Sequence, residues 1–208
     1  MIRSLFVIFF VLIFFAGSGF CQDINATTED GRAVILKKDG TWQFSKKQVV
    51  AATGEGGTYR KPKDSSAVYT TKNGKISIWF DQSKWTQRKT DNPAKTMFEH
   101  KDGDINVMVI AERIEMERDA FRQMAINNAQ AAAPDIRVTY EGTRAVNGKA
   151  VLCMKMEGTI QSVHFVYYGY YYSGKEGTVQ LIAFTSSNLF NDYLGDMSDF
   201  LNGLVINE

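Results

Sequence analysis

Residues 137–186, RVTYEGTRAVNGKAVLCMKMEGTIQSVHFVYYGYYYSGKEGTVQLIAFTS, decide the fold. Two strand-length runs, Arg137 to Val146 and Lys149 to Ile160, are separated only by Asn147-Gly148. Asn-Gly is the preferred two-residue hairpin turn, because both residues accept the positive φ that a tight turn between right-twisted strands demands. A second pair, Val163 to Ser173 and Thr178 to Ser186, is joined through SGKEG. Neighbours linked by turns this short pair antiparallel, since parallel strands need a long crossover.

The same signal occurs twice upstream. AVYTT, the turn Lys72-Asn73-Gly74 and KISIWF read as one hairpin; Lys95 to Lys101, Asp102-Gly103 and Asp104 to Ala111 read as another. Two helical patterns interrupt the strands. The first spans Glu117 to Ala132, with Phe121, Met124, Ala125 and Asn128 or Ala129 along one side, and Pro134 ends it. The second spans Asn188 to Leu201, with an apolar stripe running from Phe190 through Tyr193, Met197 and Phe200 to Leu204. Asn188 suits its N-cap and Gly203 its C′ position. Residues 67–208 are therefore expected to form an α+β domain, an antiparallel β-sheet flanked by two helices.

A short β-meander is expected before it, over residues 22–46, from the turns Asp30-Gly31 and Asp39-Gly40. So small a sheet is not stable alone, so Val34, Leu36 and Trp42 or Phe44 must cover something. Gly54, Gly56, Gly57 and Pro62, with the charges around them, mark residues 47–66 as a linker.

Residues 1–21 read as a cleavable signal peptide. Arg3 supplies the positive start, Leu5 to Phe15 an unbroken apolar run, and Ala16 to Gly19 the small-residue exit. A spanning helix needs roughly 20 apolar residues, more than this run provides. The expected cut precedes Gln22, with cuts after Ser18 or Gly19 as competitors and an uncleaved anchor as the other reading. Lipidation at Cys21 is the further alternative, although Ser18 and Phe20 stand where a lipoprotein signal has Leu and a small residue. The chain is thus expected to be exported, periplasmic or extracellular, with no transmembrane span once processed.

The whole chain carries 24 Lys+Arg and 23 Asp+Glu, and the leader takes away Arg3 and no acid. A neutral mature chain gives no electrostatic case for nucleic acid or an anionic membrane. Only Cys153 survives a cut before Gln22; inside an apolar strand it reads as a small core residue. A retained Cys21 would permit a Cys21–Cys153 bridge.

The stretches KISIWFDQSKW, VNGKAVLCMKMEGTI, FVYYGYYYSGKEGTVQLIAFT and the closing FLNGL, with a helix between the first two, resemble the PsbP/DcrB-like proteins over roughly residues 67–206. That resemblance implies a lone antiparallel sheet flanked by helices, in proteins that mostly bind or help assemble other components. It carries no site residue over, because no signature motif is shared. The N-terminal pattern DGR…L…DGTW resembles short elements of uncharacterised exported bacterial proteins.

The aromatic strand is the one unusual local feature. Five of the nine tyrosines fall between Tyr167 and Tyr172. Alternation places Phe165, Tyr167, Gly169 and Tyr171 on one face and His164, Tyr168, Tyr170 and Tyr172 on the other. Exposed tyrosine suits recognition, so these last four form the candidate ligand or partner surface, set against the plainer reading of a sheet packed under helices. His100 and His164 are the sole histidines. Glu99, His100 and Asp102 or Asp104 could be combined into a metal site, but they bracket a turn whose acids ordinarily serve the turn itself, so no metal and no cofactor is expected. No nucleophile-elbow, zincin or phosphate-loop motif occurs. The expected function is a non-catalytic binding or assembly module for an unknown protein or small ligand. The alternative is an exported hydrolase with its site between sheet and helix.

Overall fold

The computed structural model describes residues 24–27, 33–37, 39–44, 57–90, 92 and 95–207. The expected leader over 1–21, Cys21 with its alternatives, and residues 47–56 of the expected linker lie outside the described residues. The chain divides into two compact units, within residues 1–48 and 49–208.

In the first unit, β1 (Ile24–Thr27), β2 (Ala33–Leu36) and β3 (Trp42–Phe44) pair antiparallel in that order. Chemistry local to the Asp39-Gly40 turn joins β2 to β3. Gly40 takes φ +80°, and Asp39 Oδ1 accepts from Thr41 N at 2.9 Å and from Thr41 Oγ1 at 2.6 Å.

The second unit opens with β4 (Thr58–Tyr59), inside the stretch expected as linker, then β5 (Ala67–Thr70), β6 (Ile76–Phe80) and β7 (Trp85–Arg88). β8 (Lys95–His100), β9 (Asn106–Glu112) and α1 (Arg118–Ala132) follow. Next come β10 (Arg137–Val146), β11 (Lys149–Ile160), β12 (Val163–Gly174) and β13 (Gly177–Ser186). α2 (Phe190–Asn202) and β14 (Leu204–Ile206) complete it. All four expected hairpins form, pairing β5 with β6, β8 with β9, β10 with β11 and β12 with β13. At the turn between β10 and β11, Asn147 has φ +47° and Gly148 +84°, the conformation their sequence favours.

The class is α+β as expected, but the single antiparallel sheet needs correction. Eight strands form one larger, mixed sheet in the order β4-β10-β11-β12-β13-β9-β8-β7, with β4 parallel to β10. The first hairpin stands apart in a second sheet, β14-β6-β5. A turn fixes which strands pair across it and leaves their outer edges uncommitted. The free edge of β6 is taken by the C-terminus, Leu204 opposite Ile78 and Ile206 opposite Ile76. Leu204 therefore begins a strand rather than ending the helical stripe. Gly203 also differs from expectation. Its φ is −69°, and glycine is required because a Cβ would collide with the Trp79 carbonyl oxygen. α2 begins at Phe190 with Leu189 at its N-cap, not Asn188.

Strand alternation gives the large sheet two apolar faces. On one, Leu152, Met154, Met156, Tyr171 and Ile182 meet Phe121, Ala125 and Ile126 of α1. On the other, Tyr168, Tyr170, Val179 and Leu181 share a core with Met197, Phe200 and Leu201 of α2 and with Ile76 and Ile78 of β6. Phe200 sits among rings there, its centroid 4.8 Å from Trp85, 5.0 Å from Phe98 and 5.6 Å from Phe80. The Trp85 and Phe98 contacts are edge-to-face and the Phe80 contact is stacked, and aromatic pairs of both kinds add to the area they bury.

Candidate functional site

On β12 alternate side chains enter opposite cores, Tyr171 under α1 and Tyr168, Tyr170 and Tyr172 on the α2 side. Exposure does not follow the expectation. Tyr168, Tyr170 and Tyr172 are 5%, 0% and 9% exposed, because α2 and the small sheet cover that face. His164 is exposed at the end of β12, its Nδ1 3.3 Å from Thr159 Oγ1. Of the four candidates the structure brings only Tyr168 and Tyr170 together.

Arg144 of β10 joins that pair. Its Nη1 donates to Tyr168 Oη at 2.5 Å and Tyr170 Oη at 3.0 Å, and Tyr170 donates onward to Asn202 Oδ1 at 2.9 Å. The guanidinium lies 4.8 Å from the Tyr59 ring centroid and 5.5 Å from that of Tyr168, so rings replace the water it has lost. Burial pushes the Tyr170 hydroxyl up to about 12, against the pull of Arg144, and the Cys153 thiol up to about 11. Tyr170 therefore remains a donor and Cys153 a protonated core residue. Tyr172 instead donates to Glu176 Oε2 at 2.6 Å. Arg144 was readable in principle: counting back by two from the buried Val146 puts it on the inner face, where a cation needs partners.

The residues weighed for a metal separate in the same way. His100 is 3% exposed and packs edge-on against Trp85 and Tyr193, centroids 5.1 and 5.6 Å away. Its Nδ1 lies 3.5 Å from Asp102 Oδ2 and its Nε2 3.8 Å from Asp196 Oδ2. Asp104 accepts from Tyr193 at 2.9 Å, while Glu99 pairs with Arg88. Among the described residues no group of three or more His, Cys, Asp or Glu is placed to hold a metal ion.

A different site lies under α1. Ala125, Ala129 and Ala132 recur at one face of the helix, and their methyl groups are too short to fill the space down to the sheet. A cleft of about 410 Å³ remains between them and Met108, Ile110, Met156, Tyr167 and Ile182 on four adjacent strands. Gln180 of β13 stands in its floor, in register with Ile110 on one side and Tyr171 on the other. It is 4% exposed, and its carboxamide bonds to no other described residue. Asn128, Lys95 and Glu112 reach the same cleft. This is the size and lining of a small-molecule site: mostly apolar, with a few placed polar groups. The only signal for it in sequence is the run of alanines in the C-terminal half of the helix, which also reads as ordinary helix propensity.

No family model and no curated protein matches the sequence at a significant level. Among solved structures, the chain is similar to the solution structure of cyanobacterial PsbP (CyanoP) from Synechocystis, at 10% identity over 70% of this chain and 94% of that one, with a TM-score of 0.51. It is also similar to a crystal structure of a Bacteroides thetaiotaomicron protein, at 10% identity over 69% of this chain, with a TM-score of 0.50. The matched part covers 49% of that second protein, so the chain spans about half its length. The fold is PsbP-like, as the resemblance in sequence implied. At these identities the similarity concerns the fold alone. No helix among the described residues is long and apolar enough to cross a membrane.

Proposed function

We propose that this chain is an exported accessory module, periplasmic or extracellular, that binds an apolar small molecule rather than catalysing a reaction. The observation that carries the reading is the cleft of about 410 Å³ between α1 and the sheet. Alanine, methionine and isoleucine make up much of its wall, side chains that shape a volume, and the polar groups among them include no histidine, serine or cysteine. Methionine also lets such a pocket adapt to its occupant. Neither histidine reaches it: His100 packs against Trp85 and Tyr193, and His164 stands at the end of β12. The signal-peptide pattern over residues 1–21 supports export.

Two measurements test the reading. Expressed with its leader, the chain is expected in the exported fraction with an intact mass beginning at Gln22; a full-length cytoplasmic product would refute export. The purified protein is expected to enhance the fluorescence of an anilinonaphthalene probe saturably, and Ala129→Phe, which fills the cleft, is expected to abolish that signal while the fold is kept. Equal enhancement by the filled variant would remove the cleft as the binding site.

A further inference from the structure

We infer that the α1 cleft selects an uncharged apolar molecule bearing an amide group, and that Gln180 is the residue that reads it. The inference rests on the proposed binding role of this cleft. Gln180 occupies a floor position between Ile110 and Tyr171 on the adjoining strands, with Ile182 and Thr178 two residues away on its own, so its same-face surroundings are mostly apolar. An aliphatic side chain there would pack without cost. The carboxamide instead brings two N–H donors and a carbonyl acceptor to the floor of the cleft, on a residue 4% exposed, and bonds to no described group. Native interiors seldom leave such a group unserved. Water can serve it while the cleft is open. A purely hydrocarbon ligand would expel that water and return nothing, so it would be disfavoured.

The polarity of the carboxamide chooses among polar ligands. An amide offers a carbonyl to the Gln180 N–H and an N–H to its carbonyl, matching both ends at once. A carboxylate accepts only, which leaves the Gln180 oxygen facing a negative charge. The charged residues at the cleft do not favour an anion, because Lys95 is offset by Glu112. The volume leaves room for an apolar body over Met108 and Met156 with the amide at Gln180.

A matched probe series tests this on the full processed chain: para-butylbenzamide, para-butylbenzoate and butylbenzene, followed through the methyl resonances of Met108 and Met156. The benzamide is expected to bind about tenfold or more tightly than either analogue, the factor that one well-made buried hydrogen-bond pair supplies. In Gln180→Met that preference is expected to shrink to about twofold or less, with butylbenzene bound as well as before or better. Gln180→Leu gives the same readout should the methionine variant fail to fold. Equal wild-type affinities, a preference for the benzoate, or an amide preference that survives in the variants would each overturn the inference and leave the cleft as a binding site. If no probe shifts either methionine, the cleft reading fails and the inference fails with it.

Discussion

Arg144 reaches across β11 to donate to Tyr170, its Nη1 3.0 Å from the phenol oxygen, and the same nitrogen serves Tyr168 at 2.5 Å. Among the described residues no carboxylate pairs with this half-buried guanidinium. Two hydroxyls and the surrounding rings stand in for an acid.

The stability of the α2-side core should depend on that arrangement. Tyr170→Phe removes an acceptor from a charged donor and is expected to cost about 1.5–3 kcal/mol, the range for hydrogen bonds to charged groups. Arg144→Met, which keeps length and apolar contact, should cost less. Urea unfolding of both single variants and the double variant should give a coupling of about 1 kcal/mol. A coupling indistinguishable from zero would mean the contact contributes nothing.

Gly203→Ala should destabilise the fold although its backbone lies in an ordinary helical region. The added methyl would meet the Trp79 carbonyl oxygen, where β6 and the end of α2 approach. Separating them also strains the bond from Trp79 N to Gly203 O, which measures 2.9 Å. Overpacking of this kind costs about 1–3 kcal/mol, visible as a lower Tm in calorimetry. An unchanged Tm would show that β6 and the end of α2 move apart freely.

Acid should weaken the protein partly through Glu176. The hydrogen bond from Tyr172 holds this carboxyl below its ordinary range. A folded pKa below the unfolded one adds stability above the unfolded value, and that contribution is lost as pH falls through the folded value. Glu176→Gln is therefore expected to be less stable at neutral pH and to lose less stability between about pH 5 and pH 3. Parallel stability curves for the two proteins across that window would contradict the assignment.

Cys153 should be inert in the folded chain. It is 0% exposed, and burial holds its thiol at about 11. A disulfide reagent at neutral pH is expected to leave it untouched in the native state and to titrate it fully in denaturant. Rapid labelling of the native protein would indicate that β11 opens locally.

Much of this fold was legible because its pairing is local. Asn147-Gly148, Asn73-Gly74 and Asp102-Gly103 announce hairpins in which a turn brings together strands already adjacent in the chain, and each hairpin formed. The two helices could be read from their apolar spacing to within two residues at either end. Alternation along β12 also told which tyrosines share a face. Arg144 and Gln180, by contrast, have partners or surroundings that no local pattern names: alternation can place Arg144 on the inner face, but each matters because of residues on other strands.

The amino-acid sequence by itself determined the strand pairs, the helices and the sidedness of β12, since turn stereochemistry and side-chain periodicity act over a few residues. Only the tertiary structure decided which outer edges met, placing β14 on β6 and β9 on β13. That choice depends on closing long stretches of chain and burying the most apolar area, and no short motif encodes it. It also decided exposure. The tyrosines that alternation puts on one face became core because α2 and the small sheet landed there, and the open space came to lie under the alanines of α1 instead.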